Sequence, residues 1–175
     1  RNDHLSGTDR LAEISANTQH EIILNIQGDE PLIDPGLINK TARLLIARPE
    51  LSCTTAVTHF SDIRELENPD CVKVVQNSKS EALYFSRSLI PFARDGGIQL
   101  ADYLKHIGIY VYRREFLSSF SSLKSRLEEL EKLEQLRILE NGFRIGIVRT
   151  DYQALGVDKP EDLELVEKLL SARLQ

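Results

Sequence analysis

Apolar and polar positions along this chain switch repeatedly between two periods, and each switch marks an element. "EIILNI" (21–26) is apolar almost throughout, as a strand covered on both faces would be. "PGLINKTARLLIA" (35–47) has helical spacing, with Asp34 as N-cap and Pro35 in the first turn. "CTTAVT" (53–58) is a second strand, and residues 61–66 form a short helix capped by Ser61. "CVKVVQ" (71–76) and "EALYFS" (81–86) flank "NSKS", which reads as a hairpin turn. "HIGIYVY" (106–112) alternates with period two. Residues 113–120 and 126–140 are helical, and "FRIGIVR" (143–149) is another strand. "KPEDLELVEKLLSAR" (159–173) is a last helix, with Pro160 and two acids in its first turn.

Strands alternating with helices predict an α/β fold, a mostly parallel sheet flanked by helices, as a single domain over residues 1–175. The segment 71–112 stands apart as a hairpin and loop insertion. Its "RSLIPFARDGGIQLADYLK" is a long Pro- and Gly-marked loop of the kind that is often functional. In open α/β sheets, ligands sit beyond the carboxyl ends of the strands.

With 175 residues the chain can bury a substantial core. A net charge of -5 argues against a general nucleic-acid or membrane-surface binder. No apolar run approaches the ~20 residues that span a bilayer. Cys53 and Cys71 lack metal-ligand spacing, which favours packed thiols in a cytosolic protein over a disulfide or a metal site.

Asp29, in "NIQGDEPLI" (25–33), follows a strand end and a turn-forming Gly28. It either caps the turn before the helix at 35 or holds a hard cation on a phosphate ligand. Asp158, in "GVDKPEDL" (156–163), is either an N-cap or a second carboxylate on the same metal. In "SGTDR" (6–10), either Ser6 or Thr8 caps a helix and Arg10 is solvated, or Arg10 contacts a nucleotide phosphate or sugar. Arg87 and Arg94 lie near the long loop, where they either meet an anionic ligand such as a sugar carboxylate or are simply solvated. His106 and Tyr110 share one strand face and need polar partners, whether core groups or a ligand.

In "RLEELEKLEQLRILE" the leucines at 127, 130, 133, 136 and 139 recur every three residues, so the apolar stripe drifts around the helix. Glu134 and Arg137 fall inside that arc and could pair with each other. Alternatively, Glu134 and Gln135 sit at the rim of a polar pocket. No covalent nucleophile stands out, which favours phosphoryl or nucleotidyl transfer by positioning and a metal.

Together, "HLSGTDRLAE", "ILNIQGDEPLI", "VKVV", "ALYFSRSLIPFARD", "HIGIYVYRREFL", "LEKLEQLRILENG" and "GVDKPEDLELV" resemble the 3-deoxy-manno-octulosonate cytidylyltransferases, or CMP-Kdo synthetases. The resemblance runs from about His4 to Val166. It implies a Rossmann-like nucleotide-diphospho-sugar transferase fold and the coupling of CTP to Kdo for lipopolysaccharide biosynthesis. It also implies Mg²⁺ dependence, a cytoplasmic location and a homodimer. Carried over, Asp29 and Asp158 would hold Mg²⁺, and Ser6 and Arg10 would help bind CTP. Gln27, Arg94, His106, Tyr110, Glu134 and Gln135 would line the sugar-acid site, with Arg87 nearby. A sialic-acid-type cytidylyltransferase and a non-catalytic nucleotide-sugar-binding module are the alternatives.

Two departures stand out. Lys159 replaces a common Thr. The family's initial strand and its basic PARxxSxRxPxKxL loop have no counterpart here, and the chain begins with Arg1. An N-terminally shortened chain of low turnover is therefore expected, with sheet edges left exposed.

Overall fold

The computed structural model describes residues 7–28, 30–153, 156, 157, 163, 164, 166–168 and 171. The elements are α1 (Gly7–Ser15), β1 (Ile22–Asn25), α2 (Pro35–Ala47), β2 (Cys53–His59), α3 (Ile63–Glu67), β3 (Lys73–Gln76), β4 (Ala82–Ser86), β5 (Leu104–Arg113), α4 (Arg114–Phe120), α5 (Arg126–Glu131), α6 (Gln135–Glu140) and β6 (Ile145–Arg149). Of the last predicted helix, residues 163, 164, 166–168 and 171 are helical.

The sheet runs β4-β3-β5-β2-β6, and β1 also pairs with β5. It is mixed rather than mostly parallel. Among the described residues only β2 with β6 is parallel, because β5 runs antiparallel to β1, β2 and β3. Ten-residue β5 is the centre of the sheet, and its period-two pattern divides the protein into layers. Ile107, Ile109 and Val111 face α2, where Leu37 and Leu45 are fully buried. Tyr110 and Tyr112 face the larger core with Phe116, Phe120, Leu136 and Ile138 from α4 and α6. β1 pairs with β5 alone among the described strands, and Leu24 and Ile26 are exposed. Its apolar run marks a strand, but not one covered on both faces.

Local signals account for most ends. Asp34 caps α2 as expected, accepting from the Gly36 and Leu37 N–H groups at 2.9 and 3.1 Å. The cap of α3 is Asp62, one residue beyond the expected Ser61. Asp62 accepts from the Glu65 N–H, while the Ser61 N–H donates to the Glu65 side chain. This reciprocal pairing satisfies two free helix-end donors at once. In the β3–β4 hairpin, Asn77 Oδ1 accepts from the N–H groups of Lys79 and Glu81.

The predicted helix 126–140 breaks. Lys132 turns left-handed (φ 55, ψ 44) and separates α5 from α6. A leucine stripe advancing three residues at a time slips about 60° per step, so one straight helix could not bury it. The break leaves Leu130 at 67% exposure and puts Leu133 at 6% and Leu136 at 0%.

Candidate active site

The site forms where two strands part from β5. β1 ends at Asn25, opposite Tyr110, and β3 begins at Lys73, opposite Lys105. Between them this edge of β5 has no paired strand among the described residues. A cavity of about 470 Å³ opens there, just past the carboxyl end of β1.

Its walls come from six segments, among them residues 70–72 before β3 and Gly156. Gln27 and Glu30 follow β1, and Arg87 follows β4. Lys105, His106, Gly108 and Tyr110 lie on β5, while Lys132, Glu134 and Gln135 come from the α5–α6 break. A neighbouring hollow of about 780 Å³ shares Lys132 and Glu134.

Gly108 lets Gln27 lie against the strand, since a Cβ at 108 would stand 3.0 Å from Gln27 Nε2. His106 Nε2 is 2.9 Å from Thr55 Oγ1, and its ring meets Phe85 and Tyr110. Burial pushes the His106 imidazole down to about 3, so the ring is neutral at pH 7 and offers hydrogen bonds rather than charge. Burial, then Tyr112 and Glu134, raise the Tyr110 phenol well above its ordinary value, so it too is neutral.

Glu134 is held by α1: the Thr8 N–H donates to its Oε2 at 3.2 Å, and the Thr8 hydroxyl lies 3.3 Å from Tyr112 Oη. The expected Glu134–Arg137 pair does not form. Arg137 instead bonds Glu128 (2.5 and 2.6 Å) and Asp9 (3.0 Å). The helix break turns Glu134 away from it and toward the cavity.

Gln27, Arg87, His106, Tyr110, Glu134 and Gln135 all lie around one cavity. Arg87 is already engaged: its Nε donates to Glu131 O at 2.8 Å and its Nη1 to Pro69 O at 3.0 Å. Arg94 sits on the exposed turn after Ala93, and Arg10 is exposed on α1; neither lines this cavity. Ser6, Asp29 and Asp158 lie outside the described residues.

The sequence reading missed Glu30, Lys105, Gly108 and Lys132. Gly108 was findable, because period two places it between His106 and Tyr110 on one face. Lys105 pairs with Glu65 from α3, a contact no local pattern announces. Lys73 was missed as well. It is fully buried, and its Nζ donates to the carbonyls of Asn68 (2.8 Å), Cys71 (2.9 Å) and Arg87 (2.8 Å). It thereby ties together two wall segments of the cavity. Cys53 is buried and Cys71 half-buried, both as free thiols.

The neutral His106 makes stability depend on pH. An unfolded histidine binds a proton near pH 6.5 that the folded one refuses until about 3. Its contribution is therefore intact above about pH 6.5 and is lost as pH falls toward 3, by up to about 1.4 kcal/mol per unit. Urea titrations of His106→Gln at about pH 6 and about pH 4 should show a flatter pH dependence than the wild type. Equal slopes would contradict the assignment.

A mixed sheet with helices on both faces, and a polar cleft at a strand end, define a nucleotidyltransferase-type α/β protein. Solved structures agree. The CMP:2-keto-3-deoxy-manno-octonic acid synthetase complexed with CTP superposes with a TM-score of 0.89 at 41% identity, covering 99% of this chain and 71% of that one. A putative glucose-1-phosphate thymidylyltransferase from Bacillus anthracis, at 14% identity and a TM-score of 0.62, shares the fold over 97% of this chain and 62% of its own. The cytidylyltransferase family model matches residues 1–145. The 3-deoxy-manno-octulosonate cytidylyltransferase of Solibacter usitatus (strain Ellin6076) is 51% identical over 175 residues, covering 99% of this chain and 69% of the relative. That of Pelobacter propionicus (strain DSM 2379 / NBRC 103807 / OttBd1) is 46% identical over 173 residues, covering 93% and 68%. The chain belongs to the 3-deoxy-manno-octulosonate cytidylyltransferase family.

Proposed function

We propose that this protein couples CTP to 3-deoxy-manno-octulosonate, giving CMP-Kdo and pyrophosphate. The observation that carries the reading is the cavity wall itself. Five of the six residues that the family resemblance assigns to the sugar acid, Gln27, His106, Tyr110, Glu134 and Gln135, come from three separate segments and meet around one cavity, while Arg94 lies apart from it. In the reaction, the anomeric hydroxyl oxygen bonds to the α-phosphorus, the bond from that phosphorus to the bridging oxygen breaks, and pyrophosphate leaves. The hydroxyl proton passes to solvent. Glu134 and Gln135 fix the ring by its hydroxyls, and Gln27 closes the side nearest β1.

The proposal includes Mg²⁺ held by Asp29 and Asp158. Its support is that Glu30 and Gly156, described neighbours of those aspartates in sequence, line the same cavity. Two hard carboxylates suit that ion. When bound, the ion would neutralise and orient the phosphates. A cytoplasmic homodimer, implied by the family resemblance, is also part of the reading, and the exposed Leu83 of β4 and Phe92 of the long loop support the dimer. Among the described residues, no helix is long and apolar enough to cross a membrane.

Pyrophosphate release with CTP, Mg²⁺ and Kdo, repeated with competing sialic acid, tests the reading. Kdo-dependent release that EDTA abolishes is expected. Release with sialic acid but not Kdo would replace the substrate, and nucleotide-sugar binding without any release would favour a binding module. Gly108→Ala offers a local check. Its Cβ should push the Gln27 side chain aside at a cost to folding under about 1 kcal/mol, yet weaken Kdo binding about tenfold. Unchanged Kdo affinity would remove Gln27 from the site.

A further inference from the structure

We propose that Thr55 is a positioning residue: it holds His106 in its Nε2–H form, so that Nδ1 meets the cavity as a hydrogen-bond acceptor for a sugar hydroxyl. This rests on the functional reading above.

Thr55 lies on β2, fully buried beside the His106 ring. Its Oγ1 is 2.7 Å from Ile109 O, 3.3 Å from Ile107 O and 2.9 Å from His106 Nε2. A hydroxyl has a single proton, and a carbonyl can only accept. The proton therefore goes to Ile109 O, the closer carbonyl. Thr55 Oγ1 can then meet Nε2 only as an acceptor, which requires a proton on Nε2. A neutral imidazole carries one N–H, so Nδ1 is a bare lone pair.

Three further observations agree. The ring is neutral, because burial disfavours its charged form. No described residue hydrogen-bonds Nδ1, and Nδ1 is not among the buried atoms that lack a partner, so it is open to the cavity that His106 lines. The ring plane is held by Phe85, edge-on at 5.2 Å, and by Tyr110 at 5.3 Å. A bare lone pair accepts from O–H and repels carboxylate or phosphate oxygen. His106 therefore selects a hydroxyl of the sugar acid and leaves its carboxylate to the cationic part of the wall at Lys132.

Two-bond ¹H–¹⁵N correlation spectra of the full chain read the tautomer directly. The wild type should show Nε2–H, and its Nδ1 resonance should move when Kdo is added. Thr55→Val removes the acceptor at nearly constant shape. It should populate Nδ1–H and weaken Kdo binding about tenfold, the loss of one hydrogen bond. Thr55→Ser should restore both. Nδ1–H in the wild type, an unmoved Nδ1 resonance on Kdo binding, or an unchanged dissociation constant in a folded Thr55→Val protein overturns the inference and leaves the functional reading standing. Should Thr55→Val not fold, the two wild-type spectra decide alone. Failure of the wild type to bind Kdo overturns the reading and the inference together.

Discussion

Arg137→Ala is expected to lower the unfolding free energy by about 3–5 kcal/mol. The guanidinium is almost entirely buried and joins four helices. It bonds Glu128 of α5 twice and Asp9 of α1 once, lies 4.4 Å from the centre of the Phe120 ring of α4, and itself belongs to α6. Bonding to Glu128 first, and to Asp9 second, raises its affinity for the proton further. Removing it leaves the buried Asp9 carboxylate without its guanidinium partner, a cost greater than the net value of the ion pair in the intact protein. Arg137→Lys keeps the charge but not the fork that reaches both acids, so an intermediate loss is expected. Urea unfolding of both variants, with Glu128→Gln to complete a double-mutant cycle, measures the coupling. A loss under about 1 kcal/mol for Arg137→Ala would mean that the buried network contributes little. Since α1 brings Thr8 to Glu134, the variant should also bind Kdo more weakly where it remains folded.

The second large effect is at Lys73. Lys73→Met keeps the length of the side chain and removes its three donors, leaving the carbonyls of Asn68, Cys71 and Arg87 short of a partner. Burial already lowers the affinity of this amine for its proton, so part of the loss is recovered when the charge goes. The net cost should be about 2–4 kcal/mol. The functional consequence is more specific. Cys71 and Arg87 both line the cavity, and Lys73 is the bond between their backbones. Thermal melts read the stability, and calorimetric titration with Kdo at a temperature where the variant is folded reads the site. Kdo affinity equal to the wild type would show that the cavity wall does not depend on this tie.

Much of this protein was determined locally, by its sequence alone. The Asp34–Pro35 start of α2 and the period-two run of β5 need only adjacent residues, and both appear where the pattern puts them. So does the grouping of His106 with Tyr110. The family was carried by a set of short motifs in a fixed order, which depends on no fold. Where a choice involved a distant partner, local reading had no purchase. Strand direction depends on which strand lies beside which, and β5 turns most pairings antiparallel by entering between β1, β3 and β2. The break at Lys132 is paid for in backbone strain because it buries Leu133 and Leu136, and a single helix offered no such face. Arg137 chose Asp9 and Glu128 over nearby Glu134 for the same reason: a buried charge takes the acids that packing delivers. No local pattern marks Lys73, and only the tertiary structure surrounds it with three carbonyls. Pattern thus determined the elements and named the chemistry. Burial decided direction, breakage and pairing, because the energy of a buried polar group depends on neighbours that the chain brings near only after it has folded.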